Sequence, residues 1–341
     1  MPLVSFLMSN YKTPPAYLRR ALDSMLGQTM PDFEAVVIND GVKDESYEIL
    51  LEYAAKDQRI RLIENEKNLG LPASLNRGIE QCRGKYIARM DTDDICYPDR
   101  LEKQVEYMER NPEVMFAGAW ADIFEENENK IVKTWKPSMP SKEEYRIRLL
   151  FANDPLLIHP TVVFRSSFLF ENELRYSEQP IFRFSEDYEM WTRCIEYGNA
   201  GILEQTVLKY RMSQSENRIT VRYEQEMKRC IDNVQKGLLK RLGISEYDPE
   251  LHYRLLSGRK TYDLKYKTWM ETIRRRNDKA AIYDSRELKR LFHERWYHIV
   301  YYAIAYEKNP FKKTKYFLSL YPDGYLCLMN AFFTRKGRKN K

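Results

Sequence analysis

Three aspartates fall within four residues in the stretch Ala88-Arg-Met-Asp-Thr-Asp-Asp-Ile95, at Asp91, Asp93 and Asp94. Carboxylates this close repel one another unless a counter-charge lies among them. A hard divalent cation, Mg²⁺ or Mn²⁺, takes oxygen ligands and is often shared with a substrate phosphate, which makes the three residues candidate metal ligands. A solvated acidic turn capping the helix after Pro98 is the plainer reading of the same residues. A second acidic pair, Glu186 and Asp187, lies in Phe184-Ser-Glu-Asp-Tyr-Glu-Met-Trp191 and opens an amphipathic stretch. The helix dipole favours negative charge there, so a first-turn pair and a reactive pair are both open readings.

These acids must be held by regular elements, and the pattern supplies them. Val4–Ser9, Phe33–Asn39, Arg59–Asn65, Lys85–Asp91 and Val114–Trp120 read as strands. Between them Ala16–Gln28, Asp44–Asp57, Pro72–Cys82 and Asp99–Arg110 carry apolar residues at helical spacing. Strand-then-helix alternation predicts an α/β fold, a mostly parallel sheet with helices on both faces. Ligands in such sheets bind beyond the carboxyl ends of the strands, where the loops at Ser9, Asn39, Asn65 and Asp91 would open. Farther on, a hairpin is predicted over Asp122–Trp135, a β-branched run over Pro160–Arg165 and a helix over Asp187–Tyr197. Two short strands are expected at Gly201–Glu204 and Val207–Arg211, then helices over Tyr223–Leu242, Leu264–Arg276 and Arg286–Tyr306. There is no internal repeat.

Composition narrows the class. Of the 341 residues 43% are hydrophobic and 13% aromatic, enough to bury a core. No apolar run reaches the roughly 18 residues of a membrane-spanning helix, and the apolar start lacks the basic segment of a signal peptide. Five cysteines, none in a CxxC pair, fit free thiols in a reducing cytoplasm and give no zinc site. The net charge of +6 conceals an asymmetry: Met1–Met212 holds 27 basic and 35 acidic residues, Ser213–Lys341 holds 29 and 15. An acidic body and a basic tail point to different partners.

Several ordered motifs between Leu3 and about Thr220 resemble family 2 glycosyltransferases of the GT-A fold, in particular the bacterial surface-polysaccharide branch. Val4-Ser-Phe-Leu-Met-Ser-Asn-Tyr11 is similar to the opening strand and nucleotide loop, and Leu22-Asp-Ser-Met-Leu-Gly-Gln-Thr29 to the first helix. Val36-Val-Ile-Asn-Asp-Gly41 resembles the strand whose terminal acid reads the base, and Asn68-Leu-Gly-Leu-Pro-Ala-Ser-Leu-Asn-Arg-Gly78 the next loop and helix. Ala88–Asp94 resembles the DXD metal motif, followed in its usual place by Pro98-Asp-Arg-Leu101.

The resemblance implies roles. Ser9, Tyr11, Asp40, Asn68, Arg77, Asp91, Thr92 and Arg211 would bind the nucleotide sugar, with Tyr11 bordering the uracil and Asp40 accepting from the base. Asp91, Asp93 and Asp94 would hold Mn²⁺ or Mg²⁺. Asp187 would be the catalytic base, with Glu186 orienting it or the acceptor, and His159 and Trp191 would border the acceptor. A base opposite a metal-held leaving group implies inversion. Relatives often carry a His where this chain has Ser213, which leaves a third metal ligand open.

The expected activity is therefore a cytoplasmic, metal-dependent inverting glycosyltransferase. Its donor would be a UDP-sugar, and its acceptor a saccharide, as on a polyprenyl-diphosphate glycolipid of capsule, O-antigen or exopolysaccharide synthesis. The expected domains are a transferase over 1–220 and a basic helical region over 221–341. That region's Lys312, Lys313 and Lys315 precede the aromatic run Tyr316–Phe333, a composition suited to the inner membrane surface. Charge alone would allow nucleic acid, but no motif supports it. A metal-dependent phosphohydrolase and an inactive membrane-associated scaffold are the competing readings. Oligomeric state and donor sugar have no sequence signature.

Overall fold

A computed structural model describes residues 1–125, 128–151, 156–212, 223–256 and 262–319. The chain divides into two compact units, Met1–Lys142 with Pro155–Val234, and Glu143–Asp154 with Gln235–Lys341. The sequence-expected boundary at 220 and the aromatic run beyond Ser319 lie outside the described residues.

The first unit opens with β1 (Val4–Asn10), α1 (Pro15–Leu26), β2 (Phe33–Asn39), α2 (Glu45–Lys56), β3 (Ile60–Glu64), α3 (Leu71–Gln81) and β4 (Tyr86–Met90). Then come β5 (Ile95–Cys96), α4 (Arg100–Arg110), β6 (Val114–Phe124) and β7 (Ile131–Trp135). After α5 (Lys142–Leu149), β8 (Val163–Arg165), α6 (Ser166–Glu171), α7 (Glu186–Tyr197) and β9 (Asn199–Arg211) complete the sheet. The strand order is β3-β2-β1-β4-β8-β6-β9-β5, with β7 beside β6. Six strands run one way, while β8, β5 and β7 run against them. β2 and β4 are buried along their whole length, as expected for strands covered on both faces.

The chain leaves β1 toward β2 on one side and returns to β4 on the other. That reversal parts the loops at the carboxyl ends of β1 and β4 and opens a crevice there. The loop after β4 is short and returns through β5, which pairs with the end of β9 through Ile95–Lys209 and Cys96–Leu208. This register brings Asp93 and Asp94 beside Arg211, more than a hundred residues away in sequence.

The two short strands expected at 201–211 are one strand. β9 runs unbroken beside β6, but Leu203 pairs with Ala119 and Thr206 with Trp120. Glu204 and Gln205 are thus the extra residues of a bulge, both exposed, and the bulge interrupts the alternation that marks a strand.

In the second unit α8 (Glu224–Arg241), which begins in the first, is followed by α9 (Pro249–Leu256), α10 (Leu264–Ala280), α11 (Ser285–Tyr306) and α12 (Pro310–Leu318). His252 is fully buried and ties the unit together. The Trp269 indole N–H donates to its Nδ1 at 3.0 Å. An indole can only donate, so Nε2 carries the ring proton and donates to the Leu150 carbonyl at 2.9 Å. Residues 143–151 accordingly belong with the C-terminal helices.

Gly41 shows how tightly the loops at the crevice are set. Its φ is +76°, and a Cβ there would come within 2.0 Å of the Lys67 backbone. Gly41→Ala is expected to destabilise the protein by more than about 2 kcal/mol in chemical denaturation.

Candidate active site

β4 explains the chemistry of the crevice. Its alternation sends Tyr86, Ala88 and Met90 into the core with Phe6 and Met8, and Arg89 to the opposite face, where it is 2% exposed. An arginine is rarely buried without a partner. Arg89 finds one two residues on, in an ion pair with Asp91. Burial alone would weaken its charge, but Asp91 above all, then Tyr176 and Asp94, hold it above the usual arginine range.

Asp91, Asp93 and Asp94 each present a carboxylate oxygen within 4.8 Å of the others. Asp94 is fully buried. Its Oδ1 accepts the Arg211 backbone N–H at 2.8 Å, while its Oδ2 is buried with no protein partner. Burial, then repulsion from Asp91, raises Asp93 to about 6. Asp94 is raised well above the ordinary range by burial and by its two neighbours. A buried oxygen without a donor beside two further carboxylates fits a hard cation.

The second acidic group lies at the start of α7. Glu186 is pushed up to about 8 by burial and by Asp187, and its Oε2 has no partner. Asp187 is also raised, chiefly by burial, and accepts the Tyr188 backbone N–H at 2.7 Å. The negative charge of Asp91 raises both acids further, and Arg89 opposes it at both. Two groups nearly a hundred residues apart therefore share one electrostatic field, with Arg89 as the cation in it.

The other expected residues fall into three settings. Asp40 is buried and receives the Leu69 N–H at 2.7 Å, the Gly70 N–H at 2.9 Å and the Asn65 amide at 2.8 Å. Arg77 donates to the Asn65 carbonyl oxygen at 2.7 Å and is otherwise exposed, as is Asn68. Asp40 and Arg77 are thus joined through Asn65, and three of the roughly four acceptor positions of a carboxylate are occupied. Ser9 is half-buried at the end of β1 and Tyr11, just beyond, is 48% exposed. Across the crevice Thr92 and Thr13 share a hydroxyl hydrogen bond of 2.7 Å, which links the β1 and β4 loops.

Arg211 is wedged between the rings of Tyr17 and Phe124, 3.8 and 4.5 Å from their centroids. Its Nε donates to the Asp93 carbonyl at 3.0 Å and its Nη1 to that of Glu125 at 3.2 Å; Nη2 is buried without a hydrogen-bond partner. Ser213 lies outside the described residues. His159 is buried, its Nε2 2.8 Å from the Tyr176 hydroxyl, and burial followed by the Arg89 charge holds it well below the usual histidine range. Trp191 is 4% exposed and stacks on Phe116 at 5.8 Å, which places its ring in the core rather than on an open wall.

Sequence reading gave no role to Arg89, Thr13, Asn65 or Tyr176. Arg89 alone left a signal: a charge inside a five-residue strand that is otherwise apolar around Tyr86–Met90, directly before an acidic loop.

Residues 5–170 match the family described as Glycosyl transferase family 2. An uncharacterized glycosyltransferase of Methanocaldococcus jannaschii is 40% identical over 63% of this chain and 73% of its own. The amylovoran biosynthesis glycosyltransferase AmsE of Erwinia amylovora is 34% identical over 58% of this chain and 71% of its own. Among solved structures, S. aureus TarS 1-349 in complex with UDP-GlcNAc superposes with a TM-score of 0.55 at 15% identity, covering 88% of this chain and 89% of that one. That likeness shows a shared fold. The family match runs from β1 through the Asp91–Asp94 loop to α6, and the chain belongs to glycosyltransferase family 2.

Proposed function

We propose that this glycosyltransferase moves a sugar, with inversion, from a UDP-sugar to a saccharide acceptor at the two acidic groups around Arg89. The observation that carries the reading is the buried, unpartnered Asp94 Oδ2 beside Asp91 and Asp93, in the same field as Glu186 and Asp187. The comparison with a relative named for amylovoran biosynthesis supports a polysaccharide acceptor, proposed here as a polyprenyl-diphosphate glycolipid at the cytoplasmic face of the inner membrane. The fold shared with a protein solved with UDP-GlcNAc supports the UDP-linked donor.

Asp91, Asp93 and Asp94 would hold Mn²⁺ or Mg²⁺, whose contribution when bound is Lewis-acid stabilisation of charge developing on the diphosphate. Arg89 holds Asp91 in place through their ion pair. Asp40, through Leu69, Gly70 and Asn65, fixes the loop that would border the base. Asp187 would take the proton of the attacking acceptor hydroxyl, which requires the ionised carboxylate. Its raised pKa suits that task, because a more basic carboxylate accepts a proton more readily. A phosphohydrolase would use the same three aspartates but leaves Tyr11 and Asp40 without a task.

Three outcomes test this. In a UDP-sugar panel with Mn²⁺, Asp93→Ala is expected to lose transfer and metal-dependent nucleotide binding; transfer at a near-normal rate would remove the metal role. Asp187→Asn should retain donor binding, read by thermal shift, and lose about 10²-fold or more in turnover. An unchanged kcat would rule out its role as base.

The third concerns pH. A base must be ionised, so the rate should fall as pH drops through the pKa of Asp187, above the usual aspartate value of about 3.9. Arg89 favours the ionised acids, and Arg89→Met should therefore move this acid limb to higher pH. A limb that stays in place while the protein remains folded by circular dichroism would separate Arg89 from the base.

A further inference from the structure

The second unit carries a surface that the transferase chemistry does not use. On α11, Phe292, Trp296, Val300 and Ala303 recur at helical spacing and are buried. The face beginning with Tyr297 carries Tyr301, Tyr302 and Tyr306, 44%, 40% and 62% exposed. Their rings form a continuous ladder: Tyr297 to Tyr301 at 6.1 Å, Tyr301 to Tyr302 at 5.7 Å and Tyr302 to Tyr306 at 6.3 Å.

A tight turn extends this face onto α12. The Glu307 carboxylate accepts the backbone N–H groups of Lys308 and Asn309, both at 2.9 Å. The Asn309 side chain then accepts those of Phe311 at 2.9 Å and Lys312 at 3.3 Å. The turn is thus fixed by its own side chains, and it leaves Phe311 86% exposed. Between Tyr301 and Lys315 there are four lysines, Lys308, Lys312 and Lys315 exposed and Lys313 half-buried, and one acid, Glu307.

An exposed phenylalanine is disfavoured in water, and four tyrosines offer flat apolar faces with a polar tip. This is the side-chain chemistry of a membrane–water interface. The surplus of lysines selects an anionic one, since each gains by approaching lipid phosphates. A protein partner of equal affinity would need a matching acidic surface with an aromatic pocket, whereas a bilayer supplies both layers everywhere.

We propose that the corner formed by the end of α11 and the start of α12 docks on an anionic phospholipid surface. Phe311 and the exposed tyrosines enter the headgroup layer, and Lys308, Lys312, Lys313 and Lys315 meet the phosphates. The assignment deepens the membrane-facing part of the proposed function and names the surface responsible. It requires no spanning segment, and among the described residues no helix is long and apolar enough to cross a membrane.

The test is co-sedimentation of the full chain with vesicles of phosphatidylcholine, with and without about 30% phosphatidylglycerol, at low and high salt. Binding is expected only to the anionic vesicles and should weaken as salt screens the lysines. Phe311→Ser and the double variant Lys312→Glu with Lys313→Glu should each weaken it by about tenfold or more. Phe311 and Lys312 are exposed and Lys313 is half-buried on the same surface, so folding and UDP release in the absence of vesicles should stay as in the parent chain. Equal binding to neutral vesicles, or full binding by both variants, would overturn the proposal. So would a dimer in solution that Phe311→Ser dissolves, which would assign the face to a second copy. Loss of vesicle binding with intact UDP release removes this surface alone; vesicle binding without UDP release removes the transferase reading and leaves the surface standing.

Discussion

The crevice depends on one buried cation. Arg89 lies on a strand with almost no exposure, and its charge is tolerable there only because carboxylates surround it. The converse holds too. Asp91 and the α7 acids Glu186 and Asp187, all half-buried, repel one another, and Arg89 is the cation whose field reaches all of them and opposes that repulsion. β4 is held between β1 and β8, so the cation cannot move away from either group. Even the Arg89 carbonyl is fixed, accepting a hydrogen bond of 2.6 Å from the buried Arg100 of α4.

Around this centre the loops are fastened to one another rather than to the sheet alone. Asp40 gathers Leu69 and Gly70, Thr13 meets Thr92, and Arg211 grips the backbone of the acidic loop while lying between two aromatic rings. Each contact joins segments distant in sequence. The crevice is accordingly a property of the sheet order, which brings the carboxyl ends of β1, β2 and β4 together.

The first half of the fold was legible because its strands and helices are long and regularly patterned. The observed β2 spans the same Phe33–Asn39 read from sequence, and α1 to α4 deviate by only a residue or two at most ends. β9 was read as two pieces, since consecutive exposed Glu204 and Gln205 break an alternating pattern even though the pairing continues. Site acids were legible as clusters of like charge. Their partners were not: that Asp94 takes the Arg211 N–H depends on the pairing of β5 with β9, and that Trp191 stacks on Phe116 depends on how α7 lies on the sheet. Spacing along a chain reports which face a residue occupies, and contact across the fold requires the register.

The raised carboxylates have a consequence for how an anion enters. By sequence the crevice counts five negative side chains against two arginines, Arg89 and Arg211, a field that would repel a diphosphate. Burial alters that count, because it pushes Glu186 up to about 8 and raises Asp94 well above its ordinary range, disfavouring the charged form of both. The free crevice is thereby less negative than its residues imply, and an incoming polyanion faces a lower electrostatic barrier. Any positive charge that later binds among these acids favours their ionised forms, so the occupancy of the crevice and the proton activity of its surroundings are thermodynamically linked.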